Sequence, residues 1–158
     1  MGSNWDKNIR SFIQLANNHE VRMIMVGSGA ANFYGHKSMA TGVHFWIEAI
    51  SKNLNKIMLV LKELGSELVD FSVPVINRKQ DVSIKFSPTS LNLELITNFV
   101  ADKSFSWAYD DSVETSLRQN SSVKWRVLAL EDLIDSKIKS QNPQDQLDIQ
   151  ELKRINGK

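Results

Sequence analysis

The sequence predicts an α+β (α/β-like) domain, a mixed β-sheet flanked by helices. Short apolar segments such as "VRMIMVG" (21–27) and "VHFWIEA" (43–49) are too brief and too rich in β-favouring residues for helices. Longer amphipathic segments bounded by cap residues lie between and after them. Two alternating segments around the turn-forming "SPTS" predict an antiparallel pair within the sheet.

Residues 5–19 place Trp5, Ile9, Phe12, Ile13 and Ala16 at helical spacing, with Asn4 available as the N-cap. The strand over 21–27 runs into "SGAANFYG" (28–35), a short helix that a serine cap opens and Gly35 ends. The strand over 43–49 follows. Residues 51–64 begin at Ser51, repeat Leu54, Ile57, Met58, Leu61 and Leu64, and meet Gly65 as a stop. Pro74 makes "FSVPVI" (71–76) an edge or irregular strand. "DVSIKF" (81–86) and "LNLELIT" (91–97) alternate, with Asn92 and Glu94 opposite Leu91, Leu93 and Leu95. "FSWAYD" reads as a short helix, with strands near 112–118 and 123–128. "LEDLIDSKIKS" (130–140) is helical, and Asn142-Pro143 breaks it before a final helix over about 144–155.

A chain of 158 residues without repeat, low-complexity tract or Pro/Gly-rich linker suits one domain over 1–158. Its core would span about 10–128 and its closing helices about 130–155. A formal net charge of +1 gives no bulk field toward nucleic acid or an anionic membrane. No cysteine is present, which excludes disulfides and thiolate metal sites. The N-terminal "MGSNWDKNIRSF" lacks a signal-peptide core, and no apolar run approaches the roughly 20 residues of a membrane helix. The expectation is a cytoplasmic protein without a membrane partner.

The informative stretch is "VGSGAANFYGHKSMATGVHFWIE" (26–48). Gly27-Ser28 stands at a strand-to-helix junction, where glycine lets the backbone approach a phosphate and free N–H groups attract anions. Ser28 serves equally as a phosphate contact or a helix cap. His44 reads as a partly buried strand histidine or as a ligand, and one His with one Glu is a poor metal site. His36 and Lys37 read as a solvated loop within reach of phosphates. Trp46, Trp107 and Trp125 read as core or interface aromatics. Asp145 and Asp148 read as complements to a helix N-terminus. No Ser/His/Asp set, Walker-type loop or basic-aromatic stripe is present.

The chain resembles the nucleotidyltransferase superfamily, specifically small bacterial members related to the abortive-infection toxin and minimal-nucleotidyltransferase groups. The resemblance runs from about residue 10 to 152. Gly27-Ser28 resembles the family's Gly-Ser pair, and "GVHF" (42–45) falls where its Asp-hydrophobic-Asp motif belongs. Glu94 in "LNLELIT" matches the third acid. "LALEDLIDSKIKS" and "NPQDQLDIQEL" resemble the closing helices, with Pro143, Asp145 and Asp148 present and Asn142 and Gln144 at the usually basic places.

That resemblance implies a reaction in which three carboxylates hold Mg2+ on a nucleoside triphosphate, so that a nucleotide monophosphate is transferred and pyrophosphate leaves. It also implies phosphate-binding roles for Gly27, Ser28 and Lys137, and a protein partner of the toxin–antitoxin kind. Here Gly42 and His44 occupy the paired acid positions, and Glu94 alone remains. Glycine offers no ligand, and imidazole suits zinc, nickel or copper better than magnesium. Losing about 4 kcal/mol of charge stabilisation slows a reaction on the order of a thousandfold. The expectation is therefore a nucleotide-binding or protein-interaction module with lost or reduced transfer, and no resident metal. The alternatives are an active transferase rebuilt on Glu94 and His44, aided by Glu48 or Asp70, and a scaffold whose cleft Phe45 or Met39 fills.

Overall fold

All four side chains of the strand Met23–Val26 are buried, and this strand, β1, is one of the two central strands of the sheet. The computed structural model describes residues 7–37, 42–65, 82–84, 92–99, 101–140 and 143–158. Around β1 the chain forms α1 (Lys7–Asn18), α2 (Gly27–Phe33), β2 (Gly42–Ile47) and α3 (Ser51–Glu63). Then come β3 (Val82–Ile84), β4 (Asn92–Ile96), α4 (Phe105–Asp111), β5 (Val113–Ser116) and β6 (Lys124–Val127). The last two elements are α5 (Leu130–Ser140) and α6 (Pro143–Ile155). Asn4, Trp5, Met39, Asp70, the 71–76 segment and the "SPTS" turn lie outside the described residues.

The sheet is mixed, in the order β3-β4-β2-β1-β6-β5. β1 runs antiparallel to β2 and parallel to β6, and β2 runs parallel to β4. β3 and β4 form the expected antiparallel pair. Register sorts the side chains onto two faces. Phe45 pairs with Met25 on one side and Leu95 on the other. This face carries the core: Phe45 is fully buried and its ring lies 6.1 Å from that of Phe12 on α1. Phe45 therefore turns away from the opposite face, and the reading in which it fills a cleft there is corrected.

The helix periods follow this packing. Ile9, Phe12, Ile13 and Ala16 of α1 are buried, as are Leu54, Ile57, Met58 and Leu61 of α3. Asn53, also buried, hydrogen-bonds to the backbone of Arg22 and Glu48 and so ties α3 to the sheet. α1 ends with Glu20 at φ 56°, where Val21 N–H reaches the carbonyl of Ala16 and Glu20 N–H that of Asn17. That is a Schellman-type stop with a glutamate in the glycine place. α3 stops at Gly65, φ 85°, as expected. Among the described residues no helix is long and apolar enough to cross a membrane.

One local expectation differs and another is narrowed. The N-cap of α2 is Val26, with no side-chain cap, so the helix opens at Gly27 and Ser28 is not its cap. Trp46 and Trp125 are buried, but Trp107 is 57% exposed because only Ala108 of the short α4 is buried. Lys103 Nζ lies 5.1 Å from the Trp107 ring, a contact that suits an exposed indole.

Candidate functional site at the β1–α2 turn

β1 ends at Val26, and the chain turns into α2 through Gly27, whose φ is 64°. A side chain is disfavoured in that conformation, which explains glycine here. A Cβ at Gly27 would meet the His44 Nδ1 at 3.5 Å, an ordinary contact, so backbone conformation rather than space excludes larger residues. The turn sits directly against the imidazole.

Strand pairing places the other residues. Val26 pairs with His44, and His44 pairs with Glu94, so one row crosses β1, β2 and β4 on the face opposite Phe45. Gly42 lies two residues before His44 on the same face of β2, and is buried. Two residues beyond His44, Trp46 pairs with Ile24 and Ile96 to form the next row. Sequence-predicted Gly42, His44 and Glu94 are thus brought to one face, and Gly27 and Ser28 to its edge.

His44 and Ile96 of this face line a cleft of about 630 Å³, whereas Gly42 and Glu94 are not among its lining residues. Gly27, Ser28 and His44 line one side. His36 and Lys37 enter from the segment after α2, and Lys137 from α5. Gln144, Asp145 and Asp148 project from α6, while Ile96 and Phe99 close the apolar end. Glu48 lies at the other end of β2. It accepts a hydrogen bond from Arg22 Nε at 2.8 Å and one from the Ser106 hydroxyl, so it is no substitute ligand for this cleft.

The polar wall is an ion-pair network that links three chain segments. Asp148 Oδ1 accepts from His36 Nε2 at 2.8 Å and from Gln144 Nε2 at 3.2 Å. Its Oδ2 accepts from Lys137 Nζ at 3.1 Å, and the same ammonium donates to Asp145 at 3.3 Å. Ser140 donates to Asp145 as well. Burial opposes ionisation of Asp148, but hydrogen bonds from His36, Gln144 and Lys137, with the Lys137 charge, hold its carboxyl below the usual value. Tyr34 adds a neutral tie, its hydroxyl donating to the Leu128 carbonyl at 2.7 Å. Burial pushes that hydroxyl up to about 12.

These contacts revise several expectations. His36 is bound to α6 rather than lying in a solvated loop. Asp148 is a buried ion-pair partner rather than a surface complement to the helix terminus. Lys137 does face the cleft, only 11% exposed, with both nearby carboxylates on its ammonium. The His36–Asp148 link went unread because the two residues are 112 positions apart. One signal was available: Asp148 shares a helical face with Ile149 and Leu152, and an acid on the buried side of an amphipathic helix needs a partner.

A glycine turn after β1, a face of strand residues and two closing helices surround the cleft. A family model described as "Nucleotidyltransferase of unknown function (DUF6036)" matches residues 5–156, and the chain belongs to that family. Its α+β architecture is a nucleotidyltransferase fold. Among curated proteins, none matches the chain.

Proposed function

We propose that this protein keeps the nucleotide cleft of its family while nucleotidyl transfer is lost or strongly reduced. The observation that carries the reading is the donor set that β2 and β4 present beside the β1–α2 turn. Gly42, His44 and Glu94 share the face that the family's three acids would occupy, and they offer one carboxylate and one imidazole. This donor set does not fit Mg2+, which is octahedral and takes oxygen ligands. Among the described residues no three His, Cys, Asp or Glu side chains converge as a metal would require. What remains is suited to binding. The Gly27-Ser28 turn offers backbone N–H groups and Lys37 lines the same cleft, while the Lys137 ammonium is shared with Asp145 and Asp148.

A second reading, an active enzyme with a rebuilt site, draws on the direct pairing of His44 with Glu94. Those two side chains would hold a transition metal rather than magnesium. Calorimetric titration with ATP, GTP, CTP and UTP separates the readings. Binding indifferent to Mg2+ and Mn2+, without pyrophosphate release, supports the first. Zinc- or manganese-dependent binding with pyrophosphate release supports the second. Absence of binding to every nucleotide contradicts both and leaves a protein-contact role, the partner class that resemblance to toxin–antitoxin members implies.

A further inference from the structure

The cleft has two chemically different ends, and the apolar one is built around Phe99. This residue follows the bend after β4 and folds back over the sheet, its ring centroid 5.2 Å from that of Trp46 at an interplanar angle of 38°. Trp46 is itself fixed edge-on by Phe105 at 5.3 Å, and Phe105 stacks on Tyr109 at 5.7 Å. Phe99 is therefore held from behind by an aromatic row, yet it stays partly exposed and lines the cleft with Ile96. At the other end Gly27 stands beside His44, and Trp46 and Ile96 lie two strand residues further, roughly 7 Å along the strand. The Gly27-Ser28 turn and Phe99 line the same cleft. The volume, about 630 Å³, suits a small ligand that is polar at one end and flat at the other.

We infer that Phe99 is the platform on which the base of a bound nucleoside phosphate stacks, so that the cleft selects nucleotides over inorganic polyphosphates and sugar phosphates. Stacking on a rigid aromatic face is tolerant of base identity, and the cost of ordering the ring has already been met by Trp46. No metal is needed for this part of the recognition. The inference rests on the nucleotide-binding reading above and adds the residue that makes it specific for a base.

The experiment is paired calorimetry of wild type, Phe99→Ala, Phe99→Leu and Phe99→Trp with ATP and with tripolyphosphate. Circular dichroism and thermal melts serve as controls for folding. The expected result is a loss of about tenfold in ATP affinity for the Ala and Leu variants, with tripolyphosphate affinity unchanged and the Trp variant close to wild type. The Leu and Trp variants keep the test alive if Ala fails to fold. Equal losses for both ligands would make Phe99 a packing residue and overturn the inference. So would ATP binding no tighter than tripolyphosphate in wild type, while phosphate binding at the turn stood. If wild type binds neither ligand, the nucleotide-binding reading itself falls and takes this inference with it.

Discussion

Replacing Asp148 by Asn tests whether the closing helices are held by charge. Asn keeps the shape of the side chain but removes the charge and turns one acceptor oxygen into a donor. Asp148 Oδ1 receives His36 and Gln144, and Oδ2 receives Lys137, so a single amide oxygen cannot serve both sides. Orienting it toward Lys137 leaves an amide N–H group facing His36. Hydrogen bonds to charged groups contribute about 1.5–3 kcal/mol each, and removing one member of a buried ion pair costs about 3–5 kcal/mol. Lys137 keeps Asp145, which lowers the expected loss to about 2–3 kcal/mol. In a chain of this length that is a drop of roughly 4–12 °C in Tm. Urea unfolding followed by circular dichroism measures it.

The pH dependence gives the sign. The folded carboxyl of Asp148 sits below its ordinary value of 3.8, so its stabilising contribution is fully present above that value and fades as pH falls through the folded value. The gap between wild type and Asp148→Asn should therefore be present at neutral pH and close in strong acid, where the Asp148 carboxyl is protonated. A variant as stable as wild type at neutral pH, or a gap that persists in acid, would refute the network as a source of stability.

Further expectations follow from backbone geometry. Gly27→Ala places a Cβ on a residue at φ 64° and should cost about 1–2 kcal/mol through conformation alone, since the added atom meets His44 only at ordinary contact distance. A thermal melt checks it, and an unchanged Tm would count against the turn geometry. Glu20→Gly relieves the opposite situation, a non-glycine residue at φ 56°, and should raise stability by up to about 1 kcal/mol in urea unfolding. The Lys56 contact to the Glu20 carbonyl survives that change, so a destabilised variant would show that the Glu20 side chain has a role of its own.

Much of the fold was legible because local signals agreed with tertiary packing. The apolar period of residues 9–16 and 54–61 marked faces that are buried, and the alternation of Leu93, Glu94 and Leu95 gave the correct faces of β4. The elements that carry Gly27, His44 and Glu94 were legible from short-range pattern, but the pairing of β2 with β1 and β4 that brings these residues to one face was not. Nor was the wall of the cleft. Contacts of His36 and Lys137 with Asp148 depend on how α5 and α6 fold back on the sheet, and no local spacing records that. Ser28 misled because a serine after a glycine has the chemistry of a cap, whereas the left-handed Gly27 already belongs to α2. Of the two roles open to Trp107, core and interface, the structure excludes the first, because a helix as short as α4 buries one small residue and leaves the indole outside.

On the reading proposed above, Gly42 and His44 stand at the positions from which a metal would be held. Calorimetric titration of ATP into the Gly42→Asp, His44→Asp double variant, with and without Mg2+, tests it most directly beside wild type. Two carboxylates on β2 beside Glu94 of β4 would complete a three-acid set, so the expected result is magnesium-dependent ATP binding in the variant and binding indifferent to magnesium in wild type. A correctly folded variant with unchanged binding, or wild type that already requires magnesium, would contradict it.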